Sequence, residues 1–522
     1  MINPYDEVPY DNYALLHTHP NRMAVLARFF GMKPAPVEKC RVLELGCGNG
    51  ANIIPMAYGL PDSEFMGIDL AGRPIEQGQA IIEELGLKNI TLRQLDILDF
   101  PADAGVFDYI ISYGIYSWVP ANVRDRILEI SKQHLAAQGV AFVSYNTYPG
   151  WHLRRMVREM MEYHIDPAAE PAARMQQAKA VVQFLLDSVS DDEGYQSYLK
   201  QELKQVIKRT PATLYHDDLS PINDPVYFHQ FVGHAAQYGL QYLADSDFFV
   251  ALDVPLSAEM QSTLEELKTD IIRREQYLDF LRCRRFRQTL LCHGNLILDR
   301  NVDPASLDGF HFLSLSKAGV PNPSLDPGTV VEFCGERGAR LSTGHPVAKA
   351  ALQLLFENWP RALRFHEVLA AVHERLATLP QPVAAEFRAD RQALGELLMS
   401  AYGAGLLEVL VHVPRFALES SKRPVASPLA RIQLRSGNRV TSLLHTTLDI
   451  QDTLAQALLL LLDGTHDRAA IVDELCRLIE SGKASLKQGG QAVRGEADTR
   501  RLIVEQLEGA LSNIARIPLL VA

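Results

Sequence analysis

Cysteine is scarce in this 522-residue chain: Cys40, Cys47, Cys283, Cys292, Cys334 and Cys476 stand far apart, with no CxxC pair. That spacing writes neither a zinc site nor a disulfide framework, so plain buried thiols are expected and no metal. Long apolar runs are missing too. None reaches the roughly 18 residues that a membrane-spanning helix needs, and the opening "MINPYDEVPYDNYALLHTHP" is acidic and aromatic with no signal-type core. Neither a membrane span nor secretion is expected, and cytoplasm is the default. Long Lys/Arg runs are also absent, and the net charge is -12. Such a surface repels phosphate backbones, which makes nucleic acid a poor partner and leaves a cationic one compatible. No repeat of fixed period runs through the chain.

What is present is ordinary globular composition, 47% hydrophobic and 22% charged, at a length that fits roughly three or four domains of about 150 residues. Residues 41–145 alternate short apolar runs with helix-periodic ones, the order of a doubly wound parallel sheet. "RVLEL", "EFMGIDL", "ITLRQLD", "FDYIISY" and "GVAFVSYN" read as five strands; "GANIIPMAYGL", "GRPIEQGQAIIEELG" and "ANVRDRILEISKQHLAA" read as the helices between them. Residues 152–210 turn helical and charged, and the segment from "TPATLYHDD" to "RFRQTLLCH" looks α-rich. "DRNVDPASLDGFHFLSLSKAGVPNPSLDPG" reads as a connection. Then "HPVAKAALQLLFENWP", "RFHEVLAAVHERL" and "LGELLMSAYGAGLLEVLVHVP" give three helices and a hairpin-like strand, winged-helix order, and "TLAQALLLLLDGTHDRAAIVDELCRLI" a further helix pair around Asp-Gly. The third helix, "RQALGELLMSAYGAG", carries almost no positive charge, which favours a protein contact over DNA.

In "VLELGCGNGANI", Gly46, Gly48 and Gly50 stand at the turn from the first strand into the first helix, where glycine lets backbone approach a ligand closely. Gly46, Gly48 and Ala51 also satisfy a dinucleotide fingerprint, with Asp69 about 20 residues on. The glycines do not settle the cofactor. The acids point further: Glu44, inside the first strand, would repel a pyrophosphate but suits a ligand carrying an ammonium and a sulfonium. Asp69 suits a ribose diol, and Asp96 an adenine amino group with the amide of Ile97 beside it. Cys47, Leu70 and Ser112, in the loop and at strand ends, complete the expected cofactor-binding set.

"VLELGCGNG", "GID", "LDILD" and "LAAQGVAFVS" resemble the successive motifs of class I S-adenosylmethionine-dependent methyltransferases. "HTHPNRMAVLARFFGM", "SYNTYPGWHLRRMVREMM", "YHDDLSPINDPVYFHQFV" and "QYLDFLRCRRFRQTLL" are similar to bacterial members with a methyltransferase regulatory domain, among them protein-lysine methyltransferases of outer-membrane proteins. The resemblance implies a Rossmann-like seven-stranded α/β sheet, an appended mainly α-helical regulatory domain and a winged-helix-like C-terminal domain. It also implies S-adenosyl-L-methionine as cofactor, a large substrate and a homodimer. The expected division is an N-terminal lid at 1–40, the cofactor-binding domain at 41–165, a helical connection at 166–215, the regulatory domain at 216–300, a linker at 301–340 and the C-terminal domain at 341–522.

Ligands of such a sheet bind beyond the carboxyl ends of its strands. The fourth and fifth strands end in "SYGIYSWVP" and "SYNTYPGW", which would carry Tyr113, Tyr116, Trp118, Tyr145, Asn146, Tyr148 and Trp151 to the methyl-transfer site. A desolvating aromatic cleft suits lysine, whose deprotonation costs about 4.6 kcal/mol at neutral pH, and rings favour the cationic product. The leading expectation is N-methylation of a lysine-bearing protein. A small-molecule methyltransferase and a cofactor-binding scaffold that acts through its C-terminal domains are the alternatives. No Asn/Asp-Pro-Pro-Tyr run is present, which weighs against a nucleic-acid base as acceptor. His17 and His19 read as part of the lid and not as metal ligands. Arg282, Arg284, Arg285 and Arg287 read as a helix face paired with acids.

Overall fold

The runs 42–45 and 109–112 are buried on both faces and apolar but for Glu44 and Ser112, the pattern of a parallel sheet covered by helices on each side. In the computed structural model they are strands β1 (Arg41–Leu45) and β4 (Phe107–Ser112), with β2 (Glu64–Asp69), β3 (Ile90–Gln94) and β5 (Leu135–Asn146). The structure describes residues 4–190, 194–247, 258–304, 307–335, 338–379, 387–488, 491–492 and 495–521. Helices Ile53–Gly59, Gly72–Leu85 and Ala121–His134 connect the strands where the sequence predicts them. The second of these ends on Gly86, whose left-handed φ of 67° closes the last turn. Strand β5 starts earlier than expected, at Leu135, in residues that read as the tail of a helix.

Two strands come from the segment that reads as α-rich: β6 (Leu240–Asp245) and β7 (Phe286–His293). They complete a seven-stranded sheet in the order β3-β2-β1-β4-β5-β7-β6, with β7 antiparallel to both its neighbours. Aromatics at helical spacing around them hide two short buried runs whose periodicity alone does not separate strand from helix. The stretch read as a connection also contributes strands, His311–Leu313 and Lys317–Ala318. The expected hairpin-like strand, Glu408–Leu410, pairs with His311–Leu313 and, among the described residues, with no strand adjacent to it in sequence.

Helices Trp151–His164, Pro171–Ser188 and Tyr195–Ile207 form a cluster of their own around Val157, Leu203 and Leu214. Helices Pro346–Asn358, Phe365–Ala377 and Phe387–Gly403 share one hydrophobic cluster with Val42, Tyr109 and Phe142 of the sheet. A separate cluster runs from Ala426 to Leu520. Among the described residues no helix is long and apolar enough to cross a membrane.

The arginines expected on a helix face lie instead at the end of helix Ile271–Arg282, on the following turn and on β7. Arg287 is fully buried, donates to Asp279 at 2.8 Å and to Glu275 at 3.1 Å, and lies 4.0 Å over the Phe228 ring. Arg284 pairs with Asp245 at 2.9 Å, and Arg285 pairs with Glu202. The pairing with acids is internal, and it ties β6 and β7 to the helix between them.

Candidate active site

The strand order reverses between β1 and β4, and a crevice opens there beyond the strand ends. The loop leaving β1 bends over it because the amides of Gly46 and Cys47 both donate to Ile68 O, at 2.8 and 3.0 Å. Gly46 and Gly48 take φ of 72° and 55°, which side-chain-bearing residues avoid. A Cβ on Gly46 would stand 2.3 Å from Ile115 Cδ1, and one on Gly48 2.3 Å from Asn12 Nδ2. Both glycines line a cavity of about 1620 Å³ together with Cys47, whereas Gly50 packs beneath the loop on Ile54 and Leu92. Burial lifts the Cys47 thiol far above its usual range, so it acts as an uncharged wall.

The three acids reach the same cavity. Asp69, at the end of β2, accepts from Gly48 N and Ala71 N, each at 2.8 Å. A carboxylate has about four acceptor sites, so capacity remains for a diol. Asp96 accepts from Leu98 N at 2.9 Å and caps the turn Ile97–Asp99; Leu70, Ile97 and Leu98 stand beside it in the wall. Glu44 is 4% exposed, and burial pushes its carboxyl up to about 8. Its Oε1 accepts from Asn52 Nδ2 at 2.7 Å; its Oε2 is buried with no partner among the described residues. An orphaned carboxylate oxygen, a diol-sized acceptor and a glycine loop without side chains fit an aminoacyl nucleoside. Ser112, like Gly50, stands outside the lining. It is buried at the end of β4 and does not line the cavity.

The aromatic set divides. Trp118, Asn146, Trp151 and Tyr113 line the cavity, and the two tryptophans meet edge to face at 6.1 Å. Asn146 Nδ2 donates to Asn223 Oδ1 at 3.2 Å, which leaves its own Oδ1 as an acceptor. Tyr145, Tyr116 and Tyr148 do not line it, which corrects the expectation for all three. Side chains alternate across a strand, so the residue next to Asn146 points to the opposite face. Tyr145 there stacks on Phe231 at 4.1 Å and meets Thr289 Oγ1 at 3.0 Å. Tyr116 turns away from Trp118 toward His234 Nδ1, at 2.7 Å, and His234 Nε2 meets Asp125 at 2.8 Å. Tyr148 stacks on His152 at 4.1 Å, and its hydroxyl meets Arg155.

The sequence predicts an N-terminal lid at 1–40 but not the side chains by which that segment lines the cavity. Tyr5, Tyr10, Asn12 and Tyr13 line the cavity opposite the glycine loop. Tyr5 stacks on His216 at 4.2 Å, Val8 O accepts from His216 Nε2 at 2.7 Å, and Tyr10 donates to Asp217 at 3.3 Å. Asp217 is a further cavity acid, pushed up to about 6 by burial against the pull of Arg209. The run "YDEVPYDNY" held the signal, three tyrosines within nine residues ahead of the fold. His19 is buried and caps helix Pro20–Phe29 through Asn21 N, while His17 pairs with Asp247 at 3.1 Å. Among the described residues no group of three or more His, Cys, Asp and Glu is placed to hold a metal.

With this geometry in view, three families match along the chain: "Methyltransferase domain" over 36–209, "Predicted methyltransferase regulatory domain" over 210–293 and "PKMT, C-terminal winged helix domain" over 422–519. The uncharacterized protein RP789 of Rickettsia prowazekii is 32% identical over 96% of this chain and 90% of its own length. PKMT2 from Rickettsia typhi, solved in complex with AdoHcy, superposes with a TM-score of 0.88 at 28% identity, over 98% of this chain and 100% of that one. The cofactor is therefore S-adenosylmethionine. The chain belongs to the class I S-adenosylmethionine-dependent methyltransferases that carry a methyltransferase regulatory domain and a C-terminal winged helix.

Proposed function

We propose that this methyltransferase acts on lysine side chains of a protein. The observation that carries the reading is the cavity: about 1620 Å³ exceeds the roughly 300–1,000 Å³ of a small-ligand site and leaves room beyond the cofactor half for an entering side chain. The acceptor half holds two tryptophans, the Asn146 amide and the Asp217 carboxylate, a set suited to an amine that becomes a cation. The name PKMT, carried by the R. typhi protein and by the winged-helix family, supports the same reading.

When bound, S-adenosylmethionine supplies a methyl group on a sulfonium. Everything else falls to the protein. Glu44 and Asp69 hold the cofactor's cationic and ribose ends, Asp96 and Ile97 its base. Trp118 and Trp151 exclude water from the acceptor nitrogen, which lowers the cost of releasing its proton to bulk solvent as the side chain enters the cleft. Asn146 Oδ1 accepts from one of the two N–H bonds of the neutral amine and so aims its lone pair along the reaction axis. Asp217 is already paired with Arg209 at 2.8 Å, so it contributes a polar wall to the cavity and no free counter-charge. The rings then favour the methylated ammonium through their π faces.

Incubating the purified enzyme with S-adenosylmethionine carrying a radiolabelled methyl and a bacterial lysate tests the proposal. Label in the acid-insoluble protein fraction, resistant to base treatment that hydrolyses methyl esters, is expected. Label confined to the small-molecule fraction would establish the metabolite reading instead.

A further inference from the structure

The C-terminal winged helix touches the cofactor half of the site through one buried side chain. Strands Arg439–Thr441 and Thr447–Asp449 form a hairpin, and the turn between them places His445 at a left-handed φ of 59°. A histidine at positive φ is uncommon and is held there by its surroundings. Here the turn is fixed by His445 N donating to Ser442 O at 2.9 Å and Ser442 N to Thr446 O at 2.8 Å. The ring enters the methyltransferase domain, 5% exposed, and packs 5.0 Å from the His19 ring. Its Nε2 donates to Asn52 Oδ1 at 3.1 Å.

Asn52 is the hub of this contact. Its Oδ1 also accepts from Leu15 N at 2.9 Å, while its Nδ2 donates to Glu44 Oε1 at 2.7 Å and to Thr18 Oγ1 at 2.9 Å, the Thr18 hydroxyl itself donating to Leu15 O at 2.9 Å. With Oε1 engaged, Glu44 Oε2 is the oxygen left without a partner, at the wall of the cavity. Two donors on Asn52 Oδ1, Leu15 N and His445 Nε2, fix which end of the amide faces Glu44; a flipped amide would set oxygen against the Glu44 carboxylate once it is ionised. The same hairpin grips the N-terminal wall as well. Thr447 Oγ1 donates to Ala14 O at 3.0 Å, and the Arg439 guanidinium lies 5.5 Å over the Tyr13 ring.

We propose that His445 is a positioning residue for cofactor binding: acting through Asn52 it orients Glu44 toward the cofactor's cationic end, so the winged helix completes the cofactor site of its own chain. Nothing in this depends on what the methyl acceptor is. It does assign a use to the winged helix, whose hairpin turns inward to the catalytic domain.

The test is the affinity for S-adenosylhomocysteine, measured by calorimetry on the full-length protein, which needs no methyl acceptor. His445→Ala should weaken binding about 3- to 10-fold, the loss of one buried hydrogen bond that orders a binding group. His445→Gln, whose amide nitrogen reaches the same distance, should recover affinity to within about 2-fold. In an Asn52→Ala background, where the relay is already cut, His445→Ala should have no further effect on affinity. His445→Asn tolerates the positive φ but is too short to reach Asn52; it stands in for the alanine variant if that one does not fold, and should bind as weakly. Wild-type affinity in both short variants, whatever their melting temperatures, overturns the proposal. So does an equal loss in the Asn52→Ala background, or a glutamine variant as weak as the alanine one.

Discussion

At the scale of single residues, Glu44 makes the sharpest test of the cofactor half. Burial holds its carboxyl up at about 8, above the ordinary 4.5, so the folded protein keeps a proton that the unfolded chain has lost. Its contribution to stability therefore falls as pH rises from about 4.5 to about 8. A cation beside Oε2 favours the ionised form. Binding of S-adenosylhomocysteine near pH 7 should thus release a proton and tighten severalfold between about pH 6 and 8. Calorimetry in two buffers of different ionisation enthalpy reads the proton directly; no release and a flat pH profile would take Glu44 out of the cation contact. The acceptor half is tested by a contrast. Trp151→Ala should lower turnover by roughly 3- to 30-fold with little change in cofactor affinity. Tyr148→Phe should stay within about 2-fold of wild type, since its ring faces His152 and Tyr227 outside the cavity. A larger loss in Tyr148→Phe than in Trp151→Ala would reverse the division of the aromatic set. The sequence brought all seven polar and aromatic residues to the strand ends but could not say which way each one turns. That choice was partly legible for Tyr145 and Asn146, neighbours on one strand that must face opposite ways. For Tyr116 and Trp118 it rests on a short helical turn whose orientation is set by the helix Phe228–Gln237, far along the chain.

Among the elements, the five parallel strands and their helices were legible because each strand is a short apolar run bounded by turn residues. Strands β6 and β7 were not. They join the sheet through pairing with β5, buried apolar residues and an ion cluster shared with helix Ile271–Arg282, a long-range arrangement that local pattern does not carry. Arg287 is the centre of that cluster, with Asp279, Glu275 and Asp245 around it. Replacing it by Met keeps the contact with Phe228 but takes the closest cation from Asp279 and Glu275, Asp245 retaining Arg284 at 2.9 Å. Losing one member of a buried charge cluster costs about 3–5 kcal/mol. Arg287→Met should lower unfolding stability by that amount in denaturant titration; a loss below about 1 kcal/mol would mean that packing, and not charge, fastens these strands.

Across the whole molecule, the cavity is built from distant parts of the chain: the glycine loop, the N-terminal wall from Tyr5 to Leu15, Asp217 on the turn after the helical cluster, and Arg439 from the winged helix. The glycine loop and its three acids were legible as one local motif with spaced partners. The wall, Asp217 and Arg439 were not, because their only link to the motif is spatial. Such an enclosure around an aromatic acceptor half is what the proposed lysine chemistry needs. The most direct measurement is peptide mass spectrometry of a protein mixture incubated with the enzyme and S-adenosylmethionine bearing a deuterated methyl. Heavy methyl groups on lysine Nζ, formed more slowly with Trp151→Ala, are the predicted result. Heavy methyl on another side chain, on a terminus or on no protein at all would contradict the account.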